Sequence, residues 1–173
     1  MNKSKIEIGI LGGSFDPAHK GHLAISKEAR KRFKLKKIIW AITKKNPLKA
    51  VSKTPVSKRI KDCKKLIGSN TFIKVKFYED TINSNKTIDL INYLKKNKKL
   101  EIFFLMGADN LISFHKWHKS KLITEKCNII VFDRHGYKKN SLKSKTFKRL
   151  NNKTLTFVEF KKVNISSSQL RKI

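Results

Sequence analysis

Short apolar runs alternate with longer amphipathic stretches along the chain. Short runs that end at glycine or polar residues predict buried strands, and apolar positions at steps of three and four predict helices. The predicted strands are 6–11, 37–42, 72–77, 102–106, 128–132 and 155–160. The predicted helices are 21–33, a second that begins at Thr54-Pro55 and ends before Gly68, and a third capped by Thr87. The basic segment 134–152 is expected to form a loop and a surface helix.

Strands that alternate with helices predict an α/β fold, with a mostly parallel sheet flanked by helices. A chain of 173 residues suits a single domain, 1–173, since no internal repeat or linker interrupts the pattern. In such sheets ligands bind at the carboxyl ends of the strands, near a switch point in strand order. Glycine and polar residues follow three predicted strands directly, at 12–14, 107–109 and 165–167. These positions predict a binding site.

The charge is large and one-sided, with 42 Lys+Arg against 12 Asp+Glu and a formal net charge of +30. Such a surplus raises the question of a nucleic-acid or membrane-surface partner. Lysine is far commoner than arginine, and the lysines are spread along the chain instead of being grouped with aromatic residues. Single-stranded nucleic acids bind where basic and aromatic side chains are grouped. A solvated lysine surface without a specific nucleic-acid partner is therefore favoured, and a basic nucleic-acid-binding protein is the alternative.

The chain carries no signal of a membrane or secreted protein. No stretch approaches the roughly 18 apolar residues of a membrane span. Glu7 and Gly12-Gly13 interrupt the N-terminal apolar run where a signal peptide would continue. Cys63 and Cys127 have no CxxC partner, which argues against a disulfide framework or a zinc site and for two small core residues. We therefore expect a cytoplasmic protein without a metal site built from its side chains.

Residues 11–23, LGGSFDPAHKGHL, carry the chemistry of the chain. Gly12 and Gly13 permit a tight turn and a close approach of the backbone to a ligand. His19 and His22 are three residues apart at the start of a predicted helix, so both rings can lie on one side of its N-terminus. A helix N-terminus binds phosphate through its exposed N–H groups. Histidines that merely cap or pack are the alternative, and a zinc site lacks further ligands.

This stretch resembles the (T/S)FDPxHxGH signature of the nucleotidyltransferases. Residues 106–118, MGADNLISFHKWH, resemble the GADN…W segment of bacterial nicotinate mononucleotide adenylyltransferases. Three more segments resemble landmarks of that family in the same order. They are NPLK at 46–49, Glu79 with KTID at 86–89, and ISSSQLR at 165–171. The resemblance spans residues 9–171 and implies a single-domain, Rossmann-like nucleotidyltransferase fold.

The resemblance implies a reaction of NAD biosynthesis, in which ATP and nicotinate mononucleotide give nicotinate adenine dinucleotide (NaAD) and pyrophosphate. The phosphate of the mononucleotide is the nucleophile, so catalysis consists of positioning and of neutralising phosphate charge. Mg²⁺ is expected with the ATP phosphates, held largely by phosphate and water. A homo-oligomer is compatible with the resemblance.

The same resemblance assigns site residues. The implied catalytic residues are His19, His22 and Arg171. The implied ATP-binding residues are Gly12, Gly13, Ser14, Phe15, His19, His22, Gly107, Asp109, Ser166, Ser167 and Arg171. The implied mononucleotide-binding residues are Ser14, Phe15, Lys49, Thr87 and Trp117. For Asp109 the alternative is a helix cap, for Trp117 an ordinary core residue, and for Lys49 one more solvated lysine.

Three departures from the family pattern bear on these assignments. Lys86 and Leu90 stand where the family has a tyrosine and a second threonine, which affects recognition of the pyridine. Ser168 stands in place of a threonine, and the sequence ends two residues after Arg171. Nicotinamide mononucleotide and phosphopantetheine therefore stay open as alternative acceptors.

Overall fold

The computed structural model describes residues 5–45, 52–150 and 153–160. Its strands are β1 Ile6–Gly13, β2 Lys37–Ile42, β3 Ile73–Lys76, β4 Leu100–Gly107, β5 Asn128–Phe132 and β6 Leu155–Val158. Its helices are α1 Lys20–Phe33, α2 Val56–Ile67, α3 Glu79–Ile82, α4 Thr87–Lys95, α5 Ala108–Ser113, α6 Ser120–Lys126, α7 Lys138–Leu142 and α8 Lys145–Leu150. A short 3₁₀ helix, Phe114–Lys116, follows α5. All six predicted strands are therefore present.

The strands form one sheet in the order β3-β2-β1-β4-β5-β6, and each neighbouring pair is parallel. The predicted parallel α/β fold is thereby confirmed. The chain builds outwards from β1 to β3 on one side and then places β4 on the other side of β1. The strand order reverses between β1 and β4, and ligands bind at such a switch point in sheets of this kind.

Successive residues of a strand point to opposite sides of the sheet. Both sides of this sheet are buried, as is usual for parallel sheets. In β2, Ile39 and Ala41 belong to one hydrophobic cluster, and Ile38, Trp40 and Ile42 belong to the other. The first cluster also contains residues of α4, α5 and α6, and the second contains residues of α1 and α2. The continuous apolar runs of the sequence thus mark strands covered by helices on both sides.

Several boundaries differ from the predictions. Gly12 and Gly13 do not form a turn; they extend β1 and pair with Ala41 and Ile42, and the turn comes later. The second helix begins at Val56, so Pro55 is its cap and not a residue of its first turn. On the buried side of α2, the Thr54 carbonyl accepts a hydrogen bond from the Arg59 side chain rather than from the backbone of the helix.

The third helix and the basic segment also differ in detail. Thr87 is the first residue of α4, whose cap is Lys86, and the one-turn helix α3 was not predicted. Segment 134–152 contains two short helices, α7 and α8, within its described part. Gly68 ends α2 as expected, with φ +51°, and its N–H donates to the Lys64 carbonyl.

Both cysteines are buried core residues, as predicted. Burial raises the pKa of the Cys63 thiol to about 12 and that of the Cys127 thiol to about 12. Both are therefore protonated at neutral pH. Within the described residues, no helix is both long enough and apolar enough to cross a membrane.

Candidate active site

The predicted histidine pair lies at the N-terminus of α1. His19 is the N-cap residue, and its Nδ1 accepts a hydrogen bond from the Gly21 N–H at 3.1 Å. The Nδ1 of His22 accepts from the His19 N–H at 3.1 Å, and the two ring centroids are 3.9 Å apart. The two histidines therefore cap the helix, which was the alternative to phosphate binding. Capping still permits both rings to bind phosphate, because a neutral imidazole that accepts at Nδ1 carries its proton at Nε2.

His19 is neutral at physiological pH. Burial and the positive charge of Arg134 lower its pKa from 6.5 to about 4. His19 therefore offers a phosphate ligand a hydrogen-bond donor instead of a full positive charge.

The loop between β1 and α1 is held by an aromatic plug. The ring of Phe15 is 1% exposed and lies on Trp40, with centroids 5.1 Å apart, and beside His22 at 4.7 Å. Its backbone has φ +50°, a left-handed conformation that is uncommon outside glycine. Trp40 Nε1 donates to Ser26 Oγ at 2.8 Å, and that hydroxyl donates to the His22 carbonyl at 2.8 Å. The core thus fixes where the His22 end of the loop lies.

Asp109 lies in the first turn of α5 and pairs with Arg134, whose Nη1 is 2.7 Å from Asp109 Oδ2. The N-cap residue of α5 is Gly107, so Asp109 does not occupy the cap position that the alternative assignment gave it. Arg134 is the second residue after β5 and its charge acts on His19, but it was not predicted from the sequence. The rule that special residues follow strand ends would have found it.

Gly107 is required by the position of this carboxylate. A Cβ built on Gly107 would lie 2.5 Å from Asp109 Oδ1, which is inside van der Waals contact. A side chain at position 107 would therefore force the Asp109 carboxylate away from Arg134.

A cavity of about 450 Å³ opens at the carboxyl ends of β1, β2 and β4. This volume is within the range of small-molecule sites, roughly 300–1,000 Å³. Four residues assigned to substrates from the sequence line it: Gly12, Gly13, Thr87 and Trp117. Its other walls combine apolar and polar side chains, which include Tyr78, Glu79, Ile82, Asn85, Lys86, Leu90, Phe104, Asn110, Lys116 and His118.

Trp117 belongs both to the core and to the cavity. Its ring meets Phe104 edge-on, with centroids 6.0 Å apart, and Phe114 at 5.2 Å. It is partly buried and packs against one hydrophobic cluster. The ring orientation is thus fixed by the core, while Trp117 also lines the cavity.

Arg59 is a second residue that the sequence analysis missed. It is 2% exposed, and its guanidinium donates to the carbonyls of Ser14 at 2.6 Å, Thr43 at 2.8 Å and Thr54 at 2.9 Å. Burial lowers its pKa, while nearby Asp16 opposes that shift. A signal exists in the sequence, because an arginine occupies an apolar-face position of α2, three residues after Val56 and four before Cys63.

Several predicted site residues lie outside the described residues. They are Lys49, Ser166, Ser167 and Arg171. Ser14 and Phe15 lie in the described loop, where the Ser14 carbonyl accepts from Arg59 and the Phe15 ring is the buried plug. The structure therefore brings together the β1–α1 loop, the end of β4 and the cavity.

The described residues form no group of three or more histidine, cysteine, aspartate or glutamate side chains that could hold a metal ion. Asp109, the carboxylate nearest the end of β4, is paired with Arg134. This donor set does not fit a metal cage made by the protein.

Parallel strands, a helix N-terminus with two imidazole groups and an aromatic-walled cavity at the switch point define a nucleotide-binding α/β protein. The model of the cytidylyltransferase-like family matches residues 10–173, and the chain belongs to this family of nucleotidyltransferases.

Two relatives show which kind of nucleotidyltransferase the chain is similar to. The chain is 67% identical to a probable nicotinate-nucleotide adenylyltransferase of Pelagibacter ubique (strain HTCC1062), over 173 residues that cover all of this chain and 96% of the relative. It is 38% identical to a protein of the same name from Agrobacterium fabrum (strain C58 / ATCC 33970), over 75% of this chain and 70% of the relative.

The fold is also found among solved structures. Plasmodium falciparum nicotinic acid mononucleotide adenylyltransferase, complexed with NaAD, superposes with a TM-score of 0.77 and 22% identity. The match covers 96% of this chain and 82% of that chain. The predicted Rossmann-like nucleotidyltransferase fold is thereby confirmed.

The lowered pKa of His19 predicts how the stability of the protein depends on pH. Its pKa is about 4 in the folded protein and 6.5 without perturbation, so the unfolded chain binds a proton first as the pH falls. Stability that is present above pH 6.5 is therefore lost towards pH 4. Relative to His19→Gln, the wild type should lose about 1–2 kcal/mol of unfolding free energy between pH 7 and pH 5. Urea denaturation at several pH values measures this, and parallel curves for the two proteins would contradict it.

The short distance between a Cβ at position 107 and the Asp109 carboxylate predicts that one added methyl group lowers the stability of the protein. Gly107→Ala should displace the Asp109 carboxylate, break its pair with Arg134 and cost about 1–3 kcal/mol in the free energy of unfolding. Gly12→Ala is the matched control, because its Cβ would lie 3.5 Å from the nearest ring atom of Phe104, an ordinary contact. Equal losses in the two variants, measured by chemical denaturation, would argue against the steric explanation.

Proposed function

We propose that this protein transfers the adenylyl group of ATP to nicotinate mononucleotide and so forms NaAD and pyrophosphate in NAD biosynthesis. The observation that carries the proposal is the placement of the histidine pair and the aromatic-walled cavity at one sheet edge, joined by Gly12 and Gly13. The relatives named for this activity support it, as does the neighbouring structure complexed with NaAD.

ATP is assigned to the side of the histidines. The Nε2 protons of His19 and His22 would donate to its phosphate oxygens. The positive end of the α1 dipole also favours anionic ligands. Ser14 and Phe15 supply backbone groups beside the phosphates. Gly107 and Asp109 line the ribose side, while Ser166, Ser167 and Arg171 are proposed to hold the outer phosphates.

Nicotinate mononucleotide is assigned to the cavity. Trp117 and Thr87 both line the cavity, and Thr87 is the first residue of α4. Trp117 is proposed to offer a planar face to the pyridine ring, and Thr87 to offer its backbone N–H to the ring carboxylate. Lys49 is proposed to meet the phosphate of the mononucleotide. Lys86 and Lys116, which also line the cavity, add positive charge around an anionic acceptor.

The chemistry needs no protein nucleophile. An oxygen of the mononucleotide phosphate attacks the α-phosphorus of ATP, a new P–O bond forms, and the bond from that phosphorus to the bridging oxygen of pyrophosphate breaks. The negative charge that leaves stays on pyrophosphate. The donors of His19 and His22 stabilise charge as it develops on the phosphates, which is electrostatic catalysis by groups already in place. His22 is assigned to the α-phosphate.

Mg²⁺ is proposed to accompany ATP, bound by phosphate and water, because the described side chains make no cage for it. None of the steps above passes through the ion. A cytoplasmic location, as a monomer or a homo-oligomer, completes the proposal, since both substrates are anionic metabolites.

The proposal is tested by measuring pyrophosphate release from ATP with three acceptors: nicotinate mononucleotide, nicotinamide mononucleotide and phosphopantetheine. The highest kcat/KM is expected with nicotinate mononucleotide. His22→Ala should lower kcat by about 10²-fold or more, since one preorganised donor to the transition state contributes on that scale. Faster turnover with another acceptor, or near-normal turnover of His22→Ala, would overturn the corresponding assignment.

The lysines of the cavity predict a preference for an acidic ring. Glu79 is the acidic residue among the described lining residues, and two lysines against one carboxylate leave a net positive charge around the cavity. Replacing Lys86 and Lys116 by alanine should lower the ratio of kcat/KM for nicotinate over nicotinamide mononucleotide by about 10-fold, equal to about 1.4 kcal/mol. Lys98→Ala, at the opposite end of the sheet, is the control, and an unchanged ratio in the double variant would refute the explanation.

A further inference from the structure

We propose that Arg59 is a positioning residue that sets the distance between the two substrates. This proposal rests on the proposed function, since it concerns where ATP and the mononucleotide meet. Arg59 lies on the buried side of α2, and its guanidinium group contacts the backbone directly after β1 and directly after β2.

The first contact is on the side assigned to ATP. Arg59 Nη1 donates to the Ser14 carbonyl at 2.6 Å, immediately after β1 and immediately before the left-handed residue Phe15. The loop from Ser14 leads to His19. Arg59 therefore holds the start of the loop that ends at the histidine pair.

The second contact is on the side assigned to the mononucleotide. The same Nη1 donates to the Thr43 carbonyl at 2.8 Å, and Nη2 reaches the Lys44 carbonyl at 3.5 Å, directly after β2. Thr43 lines the cavity, and Glu79 binds its hydroxyl and the Lys44 N–H. One nitrogen of Arg59 thus joins the loop after β1 to the wall of the cavity.

One further contact and one nearby charge fix the guanidinium itself. Its Nε donates to the Thr54 carbonyl at 2.9 Å, just before α2. The carboxylate of Asp16 is buried near it and accepts from Ser52 Oγ at 2.5 Å. Hydrogen bonds from Ser52 and Thr54, with the charge of Arg59, outweigh burial and lower the pKa of Asp16. Asp16 is therefore ionised and balances the arginine.

The arrangement needs arginine and not just a positive charge. A guanidinium presents several N–H groups in a rigid plane, which suits carbonyls that approach from different directions. A lysine ammonium on a flexible stem would reach one or two of these carbonyls. This chain has six arginines among 42 basic residues, so arginine at a buried position stands out from a lysine-rich surface.

The consequence for catalysis follows from the reaction. Because both reactants bring their own phosphates, the enzyme contributes chiefly by holding the attacking oxygen and the α-phosphorus at the right distance. A displacement of about 1 Å can cost about 10²-fold in rate. Loosening Arg59 should therefore lower kcat, while each substrate still binds its own half of the site.

The test compares steady-state kinetics of Arg59→Lys and Arg59→Ala with the wild type. We expect kcat to fall by about 10- to 100-fold in Arg59→Lys, with the KM values for both substrates nearly unchanged. Adding millimolar guanidinium chloride should raise kcat of Arg59→Ala several-fold, whereas equal sodium chloride should not. Rescue of this kind reports occupation of the vacated site rather than stability.

Leu100→Ala supplies a control for a purely structural role. Leu100 is buried at the beginning of β4, at the end of the sheet away from the site, so its loss lowers stability without touching the site. If Arg59→Lys keeps wild-type kcat, or loses no more kcat than Leu100→Ala at a matched loss of stability, the inference is wrong. A rise in KM for one substrate alone, with kcat unchanged, also overturns it. An inactive wild type would instead overturn the proposed function.

Discussion

The parallel pairing of β1 with β2 and β4 is the constraint on which the rest of the structure depends. It is continuous as far as Gly13, which pairs with Ile42, and the Thr43 N–H donates to the Gly13 carbonyl at 3.0 Å. Since both neighbours run in the same direction as β1, their carboxyl ends meet at one edge. Within the described part of the chain, the loop that carries the histidine pair, Thr43 and the Gly107–Asp109 segment all follow strands at that edge, so this part of the site results from strand direction more than from any single loop.

Buried polar side chains beneath the site hold segments of the backbone in place. Arg59 and Asp16 are charged and buried, and their partners are mainly carbonyl, hydroxyl and N–H groups. Buried charges are costly unless paired and hydrogen-bonded, and here each has such partners. Surface ion pairs such as Lys58–Asp62 stabilise far less, since both side chains are exposed.

The pattern of apolar runs predicted the strands well because a doubly covered sheet leaves a strong signal. Boundaries were less predictable where tertiary contacts decide them. Gly12 and Gly13 are extended because β2 pairs with them, although two glycines favour a turn. The histidines were found from their spacing. Arg134 comes shortly after a strand and Arg59 lies on the apolar side of a helix, but the partners that give them their roles are Asp109 and the carbonyls of Ser14 and Thr43, which are distant in sequence. Both arginines were missed for that reason.

The positive polarity of the site and that of the surface have different physical origins. The surface charge comes from exposed lysines, whose long-range attraction is screened within about 8 Å at physiological ionic strength. At the start of α1 the polarity comes from backbone dipoles and from a neutral His19, which act through direct hydrogen bonds. Added salt therefore slows the approach of anionic substrates far more than it weakens their hold once they are bound. At the start of α1, the +30 net charge thus governs the capture of an anion, and the neutral donors govern its retention.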